Sequence, residues 1–375
     1  MSMIRLDGLG GDNPLAFMAA LGVLVTVDRQ SEGKALLHWE RVDGSWNPRL
    51  TTHFDATHES LVDLLYRALH REEGTGPAAM KNVKARLRAA KAAMKKAEQD
   101  LKQSAEQRRF KRGTPEYESL ERSVLGSVRA EWEHADADRR ALAEHGGMPD
   151  ETTSLGPNLK VPGGVFGAFT RRAADAATPQ NRRTADFAAA FGCEAIVDKY
   201  GVLEPTRLSK QNGNSGKNML ADVARLMTGI RPDQIASALF EKWSYADEKL
   251  SLGWDPQDVR AYALMADDPG ETPSVTMHGA NLVAYEALVL FPVSIRGRRL
   301  VTTGTKHFDN GEYFTWPIWS TPIGVDVARS LLAYPELQRP APNRTLLGRI
   351  GVVEIYRAAH FSWNKSPRFR FARPA

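Results

Sequence analysis

Cysteine is almost missing: Cys193 is the single one in 375 residues. An intramolecular disulfide and a cysteine-built zinc site are therefore excluded. It lies in the apolar stretch Phe187-Ala-Ala-Ala-Phe-Gly-Cys193, which predicts a small buried core residue rather than a catalytic thiol. Long apolar runs are missing too. No uninterrupted stretch approaches the roughly 20 residues that span a bilayer, so no membrane partner is expected. Met1 to Asp12 carries acid and glycine where a secretory signal would have a basic region and an apolar run, and the cytoplasm is the expected compartment. A dominant charge sign is also absent. Fifty Lys and Arg stand against 45 Asp and Glu, a net of +5, so any binding surface depends on how the charges are distributed.

Familiar catalytic patterns are absent as well. A phosphate-cradling loop needs glycine five residues before the Gly-Lys pair, so that backbone amides wrap the phosphates. Before Gly216-Lys217 that position is Gln211, and Asn218 stands where Ser or Thr would hold magnesium. The chain has no His-Glu-x-x-His, no Gly-x-Ser-x-Gly elbow and no adjacent His-Asp pair. His134-Ala-Asp-Ala-Asp138 carries ligand-type residues, but on a charged helix where a solvated face is the simpler reading. Asp267-Asp268-Pro269-Gly270 reads as a turn. No enzyme, metal site or cofactor is expected, and no internal repeat interrupts the chain.

What is present is ordinary globular composition, 42% hydrophobic and 25% charged, enough for a real core and for two domains or one with an insertion. Pro14 to Val27 reads as a buried helix opened by Pro14 and capped by Asp12 or Asn13. Short strands at 35–39 and 50–54 and a helix at 60–70 would complete an N-terminal α+β unit over 1–76. Between 77 and 147 the character changes. Val83, Leu87, Ala90, Met94, Ala97 and Leu101 recur at coiled-coil spacing. After the Gly113-Thr-Pro-Glu116 break a second seam runs through Tyr117, Leu120, Val124, Val128, Trp132 and Ala135. This predicts a long antiparallel helical hairpin inserted in a mixed α+β core. Its first arm holds 12 basic and 3 acidic residues and its second 4 basic and 8 acidic. The arms could pair in solvent, or the basic one could lie against phosphates. The C-terminal α+β domain is expected over 148–375, with helices at 233–240 and 280–290.

Basic residues interleaved with polar loops and aromatics supply the positive signals. Lys210, Gln211, Asn212, Asn214 and Lys217 form the most polar loop, whose side chains could reach phosphates or groove edges. Arg171-Arg172, the turn-rich Arg298-Arg299, and Lys306 add further candidates. From Arg339 onward there are 8 basic residues and 1 acidic. On a strand the closing run Arg368-Phe-Arg-Phe371 would set Arg368 and Arg370 on one face and Phe369 and Phe371 on the other. Arg373 completes the tail, with phosphate contact as the expectation for its three arginines. In Phe314-Thr-Trp-Pro-Ile-Trp319 the alternation predicts a strand that buries Phe314, Trp316 and Ile318. Trp243, Trp254, Trp316, Trp319 and Trp363 then read as core more readily than as base-stacking platforms.

Several phrases together resemble the subtype I-G (formerly I-U) CRISPR-associated proteins of the large-subunit and helicase-extension kind. They are Gly8-Leu-Gly-Gly-Asp-Asn-Pro through Leu24, Leu252-Gly-Trp-Asp-Pro through Leu264 with Asp268-Pro269, Gly279-Ala-Asn281, Phe314 to Trp319, and Ala372-Arg-Pro374. The segment 81–145 is not part of that pattern. The resemblance implies a non-catalytic, DNA-binding subunit of an RNA-guided surveillance complex. Double-stranded target DNA, guide RNA, other CRISPR-associated proteins and a helicase-nuclease would then be its partners, with base pairing carrying sequence specificity. Two rivals remain: an interaction adaptor working through the helical hairpin, and a metal-dependent nuclease around Asp255, Asp258, Asp267 and Asp268.

Overall fold

The structure, a computed structural model, describes residues 2–31, 33–72, 76–145, 150–210, 218–258, 275–308, 310–363 and 366–375. Within these, only the backbone is described for 76–84, 127, 130, 133–145, 258, 362–363 and 366. Gln211, Asn212, Asn214, Lys217, Asp267 and Asp268 lie outside the described residues, and so does the side chain of Asp258.

The chain starts with β1 (Ser2–Arg5), which pairs antiparallel with β3 (Ser45–Thr52). β3 in turn pairs with β2 (Leu36–Val42), in the order β1-β3-β2. Between β1 and β2 runs α1 (Pro14–Gln30). Asn13 caps it by accepting from the Leu15 and Ala16 amides, and Pro14 opens it, the roles those residue types favour. Pro14 to Val27 is buried without interruption, which explains why its sequence is apolar on every side rather than amphipathic. α2 (His58–Leu69) follows.

One side of α1 rests on α9 (His278–Glu286). Gly22 makes that approach possible, because a Cβ there would lie 1.9 Å from the Val283 carbonyl oxygen. The opposite surroundings are aromatic. Phe17 stacks 5.8 Å from Trp39 and 5.6 Å from Trp316, and Trp39 meets Trp319 edge-on at 6.3 Å. Two of the buried indoles are hydrogen-bonded, Trp316 donating to the Gly11 carbonyl at 2.8 Å and Trp319 to that of Leu37 at 2.7 Å, while Trp39 Nε1 has no partner among the described residues. These contacts correct one expectation. The regions expected as separate units at 1–76 and 148–375 share a hydrophobic core and belong to one compact unit, Met1–His70 with Leu155–Ala375. Tryptophans more than 270 residues apart in sequence pack together, a link that local patterning does not reveal.

Within this unit α5 (Gly163–Asp175), α6 (Arg183–Phe191), β4 (Gly192–Val197) and β5 (Leu203–Pro205) precede α7 (Met219–Gly229) and α8 (Pro232–Phe240). Cys193, near the start of β4, is half-buried, not sealed in the core as expected. β6 (Asp247–Glu248) pairs with β7 (Val275–Thr276), and β8 (Val293–Arg296) with β9 (Arg299–Thr302). The main sheet is antiparallel: β10 (Thr305–Phe308), β11 (Gly311–Trp319), β12 (Val352–Trp363) and β13 (Ser366–Phe369) in that order, with β14 (Arg373–Pro374) also on β12. α10 (Val325–Leu332) and α11 (Arg344–Gly348) lie between β11 and β12 in the chain. Phe314, Trp316 and Ile318 are fully buried, as their alternation predicts. The class is mixed α+β.

The second unit, Arg71–Ser154, holds α3 (Gly76–Gln107) and α4 (Pro115–His145). Ala97 and Leu101 of α3 pack on Leu125 of α4, flanked by Met94, Tyr117, Leu120, Val124 and Val128. Most of these residues were expected in the two seams. Arg71 and Asp150 pair at 2.9 Å near the ends of the unit. Among the described residues, no helix is long and apolar enough to cross a membrane.

Candidate nucleic-acid interface

The register of the main sheet decides which of its side chains share a face, since directly paired residues point the same way and alternate residues point oppositely. Lys306 pairs with Tyr313, which pairs with Ala359; Thr315 pairs with Arg357, and Phe308 with Gly311. One face of β10–β12 therefore carries Lys306, Phe308, Tyr313, Thr315, Arg357, Ala359 and Phe361. The other carries Phe314, Trp316 and Ala358, and is buried against the core.

The outer face is built of cations over rings. The Arg357 guanidinium lies 4.7 Å from the centroid of Phe308, with Lys306 Nζ at 5.6 Å from the same ring. Phe308 and Tyr313 are 5.7 Å apart. Arg370 extends the ladder one residue beyond β13 by donating its amide to the Ala359 carbonyl, and its guanidinium covers the Phe361 ring at 5.1 Å. Arg373 pairs in register with Arg357. Two arginines directly opposite each other repel, and no Asp or Glu shares this face of β10–β12 among the described residues. Nor do Lys306, Arg370 and Arg373 have a carboxylate partner among those residues.

Arg357 is the fixed member of the group. Its Nε donates to Thr315 Oγ1 at 3.1 Å, and its Nη atoms donate to the Pro340 and Arg339 carbonyls at 3.1 and 2.8 Å. Burial pushes its pKa below the usual guanidinium value. The 335–341 segment thus closes one end of the face, where Thr315 and Ile355 are buried. Phe308, Tyr313 and Phe361 stay half-buried, with Lys306, Arg370 and Arg373 exposed.

Two of the expected phosphate contacts are corrected. Lys210, expected in a solvated loop, is 1% exposed. Its Nζ lies 2.6 Å from His360 Nδ1 and 4.0 Å from the Phe369 centroid, on the core face of the sheet. The Trp254 indole donates to the Leu208 carbonyl at 2.8 Å, which draws this segment inward. Burial drives the Lys210 pKa well below the ordinary lysine value, with Glu312 opposing and Arg207 adding to the shift. Burial, followed by Lys210 and Arg207, likewise holds His360 well below a free histidine. A nitrogen–nitrogen contact this short requires a lone pair on one partner, in agreement with both directions. His360 Nδ1 also lies 3.4 Å from Glu312 Oε2, and Arg207 Nε 3.4 Å from Glu312 Oε1.

Arg368 is the second correction, at 7% exposed with its guanidinium beside Gly253. Arg368 pairs with Phe361 and Phe369 with His360, so the expected alternation runs only as far as the end of β13 at Phe369. That ring is buried, whereas Phe371 is 61% exposed. The tail is consequently not free, since β14 fastens it to β12.

The remaining candidates fall elsewhere. Arg298 and Arg299 are exposed at the β8–β9 turn beside Arg296, with Arg296 and Arg299 paired across the strands. Arg171 and Arg172 are exposed on α5, which packs against β4 and α6. Sequence reasoning missed Phe308, Tyr313, Arg357 and Phe361. The period-two spacing of Lys306 with Phe308, and of Arg357 with Phe361, was the available signal.

Asp255 is fully buried. Its Oδ1 accepts from the Asn13 amide at 3.1 Å and from the Gln257 backbone at 2.9 Å, tying this loop to the start of α1. Burial raises its pKa, opposed by the Gln257, Asn13 and Tyr245 hydrogen bonds. Asn281 reinforces the same junction by accepting from the Leu252 amide. Among the described residues, no three His, Cys, Asp or Glu side chains are grouped to hold a metal ion. No protein-family model matches the chain, and no curated protein matches it.

Proposed function

We propose that the chain is a non-catalytic DNA-binding subunit of an RNA-guided, type I CRISPR antiviral surveillance complex in the cytoplasm. It works there beside guide RNA, other CRISPR-associated proteins and a helicase-nuclease. The observation that carries the nucleic-acid part is the outer face of the main sheet. Lys306, Arg357, Arg370 and Arg373 share one face, and among the described residues none has a carboxylate partner. Such a face repels itself in isolation and is relieved by a polyanion. Arg298 and Arg299 would add charge next along the chain, and the 211–217 segment remains a candidate for the duplex flanking the target. The placement within an RNA-guided complex rests on the sequence resemblance.

The test is affinity for duplex and single-stranded DNA across a salt series. Changing Lys306, Arg370 and Arg373 together to Gln lowers the slope of log affinity against log salt. The expected drop is about 0.9 for each phosphate no longer neutralised on duplex, and about 0.7 on a single strand. An unchanged slope, or no binding by the wild-type chain, contradicts the reading. Metal-dependent cleavage abolished in Asp255→Asn would instead favour the nuclease alternative.

A further inference from the structure

We infer that the outer face of the β10–β13 sheet takes single-stranded nucleic acid, stacking unpaired bases on Phe361 and Tyr313 while Lys306, Arg370 and Arg373 hold the phosphates. The inference rests on the nucleic-acid reading above and narrows it to a substrate class.

A duplex keeps its bases inside the helical stack, so rings on a protein surface gain little from it beyond their cations. Here the rings are set on rigid strands rather than loops, with Phe308 on β10, Tyr313 on β11 and Phe361 on β12. Phe308 and Phe361 lie two strand spacings, about 10 Å, apart. Gly311, paired with Phe308, adds no side chain between them, and the space above it is met only by the Tyr313 ring at 4.0 Å. The three rings therefore form a row across the strands that can meet successive bases.

The cations are placed to suit the same occupant. Arg357, fixed by the Arg339 and Pro340 carbonyls, backs Phe308 and cannot swing away. Arg370 covers Phe361 but is otherwise exposed. Its guanidinium can turn to a phosphate and free the ring, or remain as a planar stacking surface itself. Aromatic rings interleaved with cations on an open antiparallel sheet, with no acid on that face of β10–β12 among the described residues, match the general requirements for binding a single strand without strong sequence preference.

The full chain is titrated by fluorescence anisotropy with labelled oligo-dT, oligo-U and a mixed-sequence duplex, each about 12 nucleotides or base pairs long. Both single strands share the stacking chemistry, and comparison of the two shows whether the ribose or the deoxyribose form is preferred. We expect at least one single strand to bind tighter than the duplex. Phe361→Leu and Tyr313→Leu should weaken that binding about tenfold each with the salt slope unchanged. If the leucine variants bind like wild type while Arg370→Gln binds more weakly, the nucleic-acid reading survives and the stacking inference fails. Equal or tighter binding of duplex defeats the inference in the same way, and absence of binding to all three defeats both. An independent readout on the wild-type chain guards against a variant that misfolds. The fluorescence of 2-aminopurine placed in the bound strand should be quenched on binding, and unchanged emission in a saturated complex overturns the inference.

Discussion

On the core face of the main sheet Lys210 Nζ lies 4.0 Å from the Phe369 ring; on the outer face the Arg370 guanidinium lies 5.1 Å from Phe361. The two pairs flank adjacent residues of β12, His360 and Phe361, yet they carry different consequences. Lys210 is sealed from water, and burial moves both it and His360 toward their neutral forms. Arg370 is exposed, and its guanidinium is free to turn toward a phosphate. A cation beside an aromatic ring is therefore no function in itself. Which side of the strand it occupies decides whether it is a burden on stability or a hand held out to a phosphate.

Mutations that separate the faces should differ first in stability. Trp316→Ala on the core face removes a ring packed on Phe17 and Phe314 and is expected to cost about 4 kcal/mol, read as a lower urea midpoint. Phe361→Leu on the outer face should cost less than about 1.5 kcal/mol. Similar losses at the two positions would mean that the faces are not distinct.

A smaller effect of opposite sign is expected at the buried lysine. Lys210→Met keeps an unbranched side chain on Phe369 and removes a group whose charged form is penalised by burial. Thermal unfolding at neutral pH should show a gain of about 1 to 2 kcal/mol. A loss of that size would show that the lysine is instead favourably paired.

The same cluster sets a pH dependence. For both Lys210 and His360 the folded state binds protons less readily than the unfolded chain. Stability should rise with pH from each folded-state pKa up to the unfolded value, about 6.5 for His and 10.4 for Lys. Conversely, acidification below about pH 6.5 costs stability through His360. Asp255 opposes this in the acid range, since its raised pKa lets stability fall as pH climbs above about 3.9. Melting temperature should therefore climb as pH approaches the unfolded lysine value of about 10.4, and that climb should shrink in Lys210→Met. An identical slope in that variant assigns the dependence to other groups.

The smallest stability change belongs to the outer face. Lys306→Gln, Arg370→Gln and Arg373→Gln together should stay within about 0.5 kcal/mol of wild type per site, while weakening nucleic-acid affinity. A large stability loss there would mean that these cations support the fold.

Much of the core was legible locally. Asn13-Pro14 announced the start of α1, the all-apolar run announced its burial, and Phe314, Trp316 and Ile318 are buried as read, although Thr315, Pro317 and Trp319 are buried as well. The seams of α3 and α4 also placed most of the residues that pack between those helices. Three things were not legible. Lys210 reads as solvated because its polar neighbours dominate the local pattern, and its burial depends on Trp254 and His360, far away in sequence. Arg368 is buried by the approach of Gly253, far away in sequence, and Phe371 is exposed because it lies past the end of β13. The outer face itself depends on the register of β11 with β12, where Tyr313 meets Ala359. A slip of one residue would send Arg357 and Phe361 into the core and bring His360 out.

The most direct test of the account is to map where nucleic acid touches the wild-type chain. Photocrosslinking of a bromodeoxyuridine-substituted single strand, followed by peptide mass spectrometry, should place the adducts on the peptides spanning 306–313 and 357–373. Adducts confined to other peptides, with those two unmodified in a saturated complex, would contradict it.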